Sequence, residues 1–150
     1  MKAIIPVAGA GTKLRPHTYT QPKALIPLAG KTILSIIVDQ LREAGIQEFI
    51  FIVGYLGDKI KDYVREKYPE LQVHFVQQSD RYGIGHAIQL TREIVGEDEM
   101  FIVLGDTICE YDVKAVMDLP SSVLGVKKVD DPRNFGVAEI GEDGLISKVI

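Results

Sequence analysis

Between Ala8 and Pro16 the chain reads Ala-Gly-Ala-Gly-Thr-Lys-Leu-Arg-Pro, a glycine pair followed at once by Lys13 and Arg15, with Lys23 a little further on. Glycines let backbone amides approach an anion without a Cβ in the way, and successive amides form an anion-binding concavity. Three neighbouring bases would neutralise the charge such a loop collects. Phosphate binding is one reading; a surface turn with solvated lysines is the plain alternative. Two better-known phosphate loops do not fit. A dinucleotide fingerprint needs a third glycine where Leu14 stands, and a Walker A loop ending at Gly30-Lys31-Thr32 would need a glycine where Leu25 stands.

A second group is Asp106, which follows Gly105 directly after the apolar run Met100 to Leu104. A carboxylate at the end of a buried strand is a hard oxygen ligand suited to Mg²⁺. A turn cap would look the same, since Asp often follows Gly in turns. The remaining candidates read blandly. His86 opens a helical stretch as a cap or packing residue, His17 and His74 have no partner motif, and the lone Cys109 cannot form an internal disulfide.

Positioning these residues requires a scaffold, and the periodicities supply one. Lys2 to Val7 is a short apolar run opening into the glycine loop, as expected of a buried strand that ends near Pro6. Residues 11–30 hold three prolines and no period, so they form either an ordered loop with a purpose or a flexible insertion. Thr32 caps a helix that runs to Ala44 and stops at Gly45; a strand spans Phe49 to Val53; a second helix starts at Gly57 or Asp58 and ends before Pro69. Further elements are a strand over Leu71 to Val76, a helix from about Ile84 to Val95, a strand from Met100 to Leu104, a short helix over Asp112 to Asp118 and a strand over Val123 to Val129. Val137 to Ile140 and Leu145 to Ile150 flank Gly141-Glu142-Asp143-Gly144 as a hairpin.

Strands alternating with helices pair in parallel through right-handed crossovers. The expected fold is therefore α/β: a three-layer αβα sandwich, a Rossmann-like, mostly parallel sheet with a C-terminal hairpin-like strand pair. In such a sheet the ligand sits beyond the carboxyl ends of the strands. That selects Ala8 to Lys23, Gln77 to Gly85 and Gly105 to Asp112.

The chain has 150 residues, 46% hydrophobic, with a net charge of −4. That length buries a core without disulfides or metals, and that charge gives no reason to bind nucleic acid or an anionic membrane. The average hides an asymmetry. Met1 to Val38 carries Lys2, Lys13, Arg15, Lys23 and Lys31 and no acid, leaving twelve basic against twenty-one acidic residues from Asp39 on. An acid-free stretch with interspersed glycines suits an anionic small-molecule site. Lys2 to Ala10 imitates a secretory signal poorly, because its apolar part is short and holds Pro6 and Gly9. The expectation is a cytoplasmic protein without membrane spans, with self-association left open and no internal domain boundary.

Taken together, Gly9 to Pro16, Pro22-Lys23-Ala24-Leu25-Ile26-Pro27, Gly30-Lys31, Gln78 to Ala87, Leu104-Gly105-Asp106 and Asn134-Phe135-Gly136-Val137 resemble the signature of the sugar-1-phosphate nucleotidylyltransferases. The resemblance covers nearly the whole chain. It implies that Ala8, Gly9, Gly11 and Thr12 wrap a nucleoside triphosphate, that Lys13 and Lys23 act at the reacting phosphate, and that Gln78 and Gly83 read the nucleobase. It further implies that Asp106 binds Mg²⁺ and acts in catalysis, and that Gly136 contacts the sugar. The implied reaction joins an NTP, with dTTP or UTP favoured, to a sugar 1-phosphate, with glucose 1-phosphate favoured. Mannose-1-phosphate guanylyl transfer, or a non-catalytic nucleotide-sensing subunit, is the alternative.

Two features depart from the family pattern. Lys13 stands where the family has arginine, and a point charge does not replace a planar fork at a phosphate clamp. Neither the family's sugar-binding Glu-Lys pair nor its second acidic metal ligand lies within these 150 residues, so the expectation is that 1–150 is the N-terminal part of the domain, cut before the sugar-binding remainder, with a degenerate relative as the alternative. Such a piece alone is expected to be weakly active or inactive.

Overall fold

The computed structural model describes every residue from Met1 to Ile150 except Thr12, Lys13, Arg15, Arg81 and Asn134. Where the sequence showed no linker, the contacts divide the chain into two compact units, Met1–Lys114 and Ala115–Ile150.

The first unit is built on a four-stranded sheet. In chain order its elements are β1 (Lys2–Pro6), a two-residue hairpin of β2 (Pro27–Leu28) and β3 (Lys31–Thr32), α1 (Ile33–Glu43), β4 (Glu48–Val53), α2 (Gly57–Lys67), β5 (Gln72–Gln77), α3 (Ile84–Gln89), α4 (Arg92–Val95), β6 (Met100–Ile102) and α5 (Val113–Met117), the last crossing into the second unit. The strands lie in the order β5, β4, β1, β6, all parallel. The chain thus steps outward from β1 through β4 to β5, then returns to the opposite side of β1. Loops after β1 and β6 consequently diverge, which opens a crevice at the carboxyl end of the sheet.

Burial explains why these runs are strands. Phe49, Ile50, Phe51, Ile52 and Val53 are all fully buried, the signature of a parallel strand covered on both faces. Ile4, Ile50 and Ile52 meet Ala87 and Val95 of the α3–α4 layer. The opposite face carries Phe49, Phe51 and Phe75 in a stack at 6.1 and 5.7 Å, and α2 covers it through the Arg65 guanidinium over Phe75. Each fully buried Ile or Phe contributes about 1.5–3 kcal/mol relative to exposure. Thr32 caps α1 as expected: its hydroxyl accepts from the Ser35 amide at 3.0 Å, and the Ser35 hydroxyl oxygen accepts from the Thr32 amide at 3.1 Å.

Two expectations are corrected and one alternative is decided. The helix expected over Ile84 to Val95 is broken into α3 and α4 at Thr91, whose buried hydroxyl donates back to the Ile88 carbonyl at 2.7 Å and competes with the helical ladder. Of the two alternatives for residues 11–30, the described residues take the ordered one, with 3-10 turns at His17–Tyr19 and Lys23–Leu25 and the β2–β3 hairpin. The strand expected over Val123 to Val129 does not form; Val123 is 54% and Val126 62% exposed, without a neighbouring ladder to satisfy the backbone.

The second unit contains β7 (Ala138–Ile140) and β8 (Ile146–Val149), the expected antiparallel hairpin. Val137 and Ile150 extend it by exchanging backbone hydrogen bonds at 2.9 and 2.8 Å. Gly136 immediately precedes this pair.

Candidate active site

The crevice at the carboxyl end of the first unit's sheet is a cleft of about 620 Å³. Ala8, Gly9 and Gly11 enter it from the loop after β1, Lys23 and Ala24 from the second 3-10 turn, Gln78, Gly83, Ile84 and Ala87 from the β5–α3 connection, and Leu104, Gly105 and Asp106 from the end of β6. Seven residues singled out in the sequence, Ala8, Gly9, Gly11, Lys23, Gln78, Gly83 and Asp106, therefore line one cavity. Gly136 belongs to the second unit. Thr12 and Lys13 lie outside the described residues, as do Arg15, Arg81 and Asn134 of the same motifs.

The floor is made by close backbone approach. β6 continues its ladder past Ile102, with the Val103 amide donating to Ile4 O at 3.1 Å and the Gly105 amide to Pro6 O at 3.1 Å. A Cβ at Gly105 would overlap the Val7 side chain and stand 2.8 Å from the Pro6 carbonyl, so only glycine lets the strand deliver Asp106 to the cleft. The wall is the glycine loop. Gly11 has φ +57, and a Cβ there would lie 2.8 Å from the Thr18 methyl. Its carbonyl accepts from the Leu14 amide at 2.9 Å and from the Thr18 hydroxyl at 2.7 Å.

At the centre, Lys23 Nζ donates to Asp106 Oδ2 at 2.7 Å, with the two side chains 32% and 49% exposed. The Thr107 hydroxyl donates to Oδ1 at 3.1 Å. Partial burial favours the neutral acid, but the Lys23 ammonium and the Thr107 hydroxyl outweigh it and hold the Asp106 carboxyl below the usual carboxylate range. An ionised carboxylate and an ammonium thus face a cleft that is otherwise mostly apolar. On the far wall, the Gln78 amide nitrogen donates to Gly83 O at 3.3 Å, which leaves its carbonyl oxygen as the acceptor of that side chain.

Sequence reasoning did not single out Thr18, Thr107 or Gly105 as site residues. Gly105 was visible in the Leu-Gly-Asp triplet; the two threonines carry no signal until the fold brings them to Gly11 and Asp106. His86 packs as expected rather than facing the cleft: its ring meets Tyr82 edge-on at 5.3 Å, and its Nδ1 is buried without a hydrogen-bond partner among the described residues. Cys109 is exposed, and no group of three or more His, Cys, Asp or Glu is arranged to hold a metal among the described residues. Nor is any described helix long and apolar enough to cross a membrane.

Residues 2–150 match the family model described as nucleotidyl transferase. Among curated proteins, the chain is 37% identical over its whole length to the bifunctional protein GlmU of Methanococcus vannielii and 34% identical over 97% of its length to the glucose-1-phosphate thymidylyltransferase of Streptomyces griseus. It spans only 35% and 43% of those proteins' lengths. Among solved structures, HddC from Yersinia pseudotuberculosis, complexed with GMP-PN, superposes with a TM-score of 0.80 at 28% identity, over 99% of this chain and 68% of its own. A Bacillus anthracis protein described as a glucose-1-phosphate thymidylyltransferase, solved with sucrose, gives 0.84 at 29% identity, over 99% of this chain and 63% of its own.

Proposed function

Because the chain belongs to the nucleotidyl transferase family, and to its sugar-1-phosphate branch, we propose that its cleft binds a nucleoside triphosphate and that the protein transfers the nucleotidyl group to a sugar 1-phosphate. One observation carries this reading: the glycine loop, Lys23, Asp106 and the Gln78–Gly83 segment, scattered over nearly a hundred residues, converge on a single cavity. In the reaction, a phosphate oxygen of the sugar 1-phosphate forms a bond to the α-phosphorus of the triphosphate. The bond from that phosphorus to the bridging oxygen breaks, and pyrophosphate leaves with the electron pair.

The protein's part is positioning and charge. Backbone amides of Ala8 to Gly11 cradle the phosphates. Lys23 screens the repulsion between two anions and stabilises charge developing at the reacting phosphoryl group. Gln78 presents its carbonyl oxygen to the edge of the base, where it can accept from a ring N–H such as that of uracil or thymine. The Streptomyces griseus relative, a glucose-1-phosphate thymidylyltransferase, supports dTTP or UTP as the favoured triphosphate and glucose 1-phosphate as the favoured partner. HddC solved with GMP-PN supports guanylyl transfer as the second reading, since a guanine N1–H can meet the same acceptor.

Asp106 fits a Mg²⁺ site of the kind completed by substrate phosphate oxygens and water, because it is the one carboxylate lining the cleft among the described residues. Bound there, the ion would supply charge neutralisation to the phosphates. Lys23 holds the same carboxylate in place until ligands arrive.

The test is pyrophosphate release from the full-length protein with Mg²⁺, each of dTTP, UTP, GTP and CTP, and glucose or mannose 1-phosphate. Turnover with dTTP or UTP and glucose 1-phosphate supports the reading. Nucleotide binding without turnover for any pair would replace it with a sensor.

A further inference from the structure

We propose that the connection from β4 into α2, together with Thr18, is a buttress that holds the phosphate loop in its binding shape before the nucleotide arrives, so that Thr18, Tyr55 and Lys59 are positioning residues for the triphosphate. The proposal rests on the reading of the cleft as the triphosphate site, and it assigns a role to residues outside the cleft's lining.

Three contacts converge on the loop from this one segment. Gly54 lies so close to the loop that a Cβ there would stand 2.9 Å from Ala8 O. The Tyr55 hydroxyl donates to Tyr19 O at 2.8 Å, and Lys59 Nζ donates to Thr20 O at 2.6 Å. Both accepting carbonyls belong to the 3-10 turn at His17–Tyr19 and its C-cap, the same turn whose Thr18 hydroxyl reaches Gly11 O. Thr18 is 2% exposed, so its hydroxyl has no water to fall back on. The chain of contacts therefore runs from α2, through the turn, to the glycine that lines the cleft.

The start of α2 departs from ordinary helix rules at two residues, although Asp58 in the first turn and Arg65 and Lys67 in the last follow them. Leu56, its N-cap, takes a left-handed conformation (φ +56) that a leucine rarely adopts, and it supplies no side-chain cap. Lys59 places a positive charge in the first turn, at the positive end of the helix dipole. Neither choice favours the helix.

A loop held ready binds its ligand with little loss of affinity to reorganisation, whereas a loop that is competent only part of the time weakens apparent affinity by that fraction. Removing the two buttressing donors in Tyr55→Phe/Lys59→Met is expected to raise the KM and the directly titrated Kd for the triphosphate roughly fivefold, on the net worth of two partly exposed hydrogen bonds. The KM for the sugar 1-phosphate and kcat should stay within about twofold, because those terms do not include ordering the loop. Thr18→Val should act the same way, and Thr18→Ser, which keeps the hydroxyl, should restore wild-type affinity. Amides of residues 17–20 should exchange faster in the variants while those of β4 do not change, a readout that a general loss of stability would not give.

The outcomes separate. Wild-type protein that binds no triphosphate removes the reading of the cleft and the buttress with it. Wild-type protein that binds, with variants that bind equally well, overturns the buttress alone, as does a proportional rise in both KM values.

Discussion

Replacing Lys23 by methionine keeps the stem of the side chain and removes its charge, and the structure predicts a small effect on stability beside a large one on turnover. At 2.7 Å, the bare Coulomb energy of the Lys23–Asp106 pair would be ~1.5 kcal/mol in bulk water and ~6 kcal/mol at an effective dielectric constant of 20. With the side chains 32% and 49% exposed, water screens most of this, and the appropriate scale is that of exposed pairs, ~0.2–1 kcal/mol. For a chain of this length that corresponds to a shift of at most ~4 °C in Tm. The sign with pH follows from the lowered Asp106 pKa. The contribution is complete above the ordinary carboxylate range and disappears as pH falls through the lowered value, so variant and wild type converge only in strong acid. Turnover should respond on another scale. A charge removed from the reacting phosphoryl group in a partly water-excluded site typically lowers kcat by ~10²–10³, about 2.7–4 kcal/mol of barrier. Thermal melting at pH 7 and pyrophosphate release on the same full-length preparation measure both. A variant several kcal/mol less stable would show the pair to be structural, and one with unchanged turnover would remove Lys23 from the reacting centre.

Further substitutions test other residues, Lys13 on the strength of the family resemblance alone. Lys13→Ala should lower turnover at least tenfold, roughly 1.4 kcal/mol of barrier, and unchanged kcat would exclude it from the mechanism. Gly105→Ala drives a methyl into Val7 and the Pro6 carbonyl, so it should lose about 1–3 kcal/mol by urea unfolding and weaken nucleotide binding in the same protein. Thr32→Ala removes the half of the capping box in which the Thr32 hydroxyl accepts from the Ser35 amide, leaving the backbone donor to Ser35 Oγ, and should lose ~1 kcal/mol with nucleotide affinity intact. Burial and the nearby Asp39 carboxylate raise the Tyr68 pKa, so its contribution is complete below the ordinary tyrosine range and lost as pH rises through and above it. Wild-type urea midpoints should therefore fall above about pH 10 more steeply than those of Tyr68→Phe.

The sheet was legible because a parallel strand buried on both faces must be an unbroken apolar run, as in Phe49 to Val53, and because Thr32 and Gly45 mark where α1 begins and ends. Val123 to Val129 has a similar pattern without a strand, since apolarity does not show whether a neighbour is present to pair the backbone. Thr91 broke a helix through a side-chain bond that competes with the ladder, an effect that propensity averages over. The site was legible as a set of candidates rather than as an arrangement. Lys23 and Asp106 could each be nominated from local context, but they are 83 residues apart, and nothing in the sequence says that they touch. Thr18, Tyr55 and Lys59 carry no motif signal of their own that sequence reasoning used, because their work is done on backbone carbonyls, which every residue has.

The most direct test of the account is a crystal structure of the full-length protein with a non-hydrolysable dTTP or UTP analogue. The cleft geometry predicts phosphates against the Ala8–Gly11 backbone, the base edge at Gln78, and Lys23 Nζ drawn from Asp106 onto a phosphate oxygen. A nucleotide bound elsewhere, or bound in the cleft with the 2.7 Å Lys23–Asp106 contact intact and Gln78 remote from the base, would contradict it.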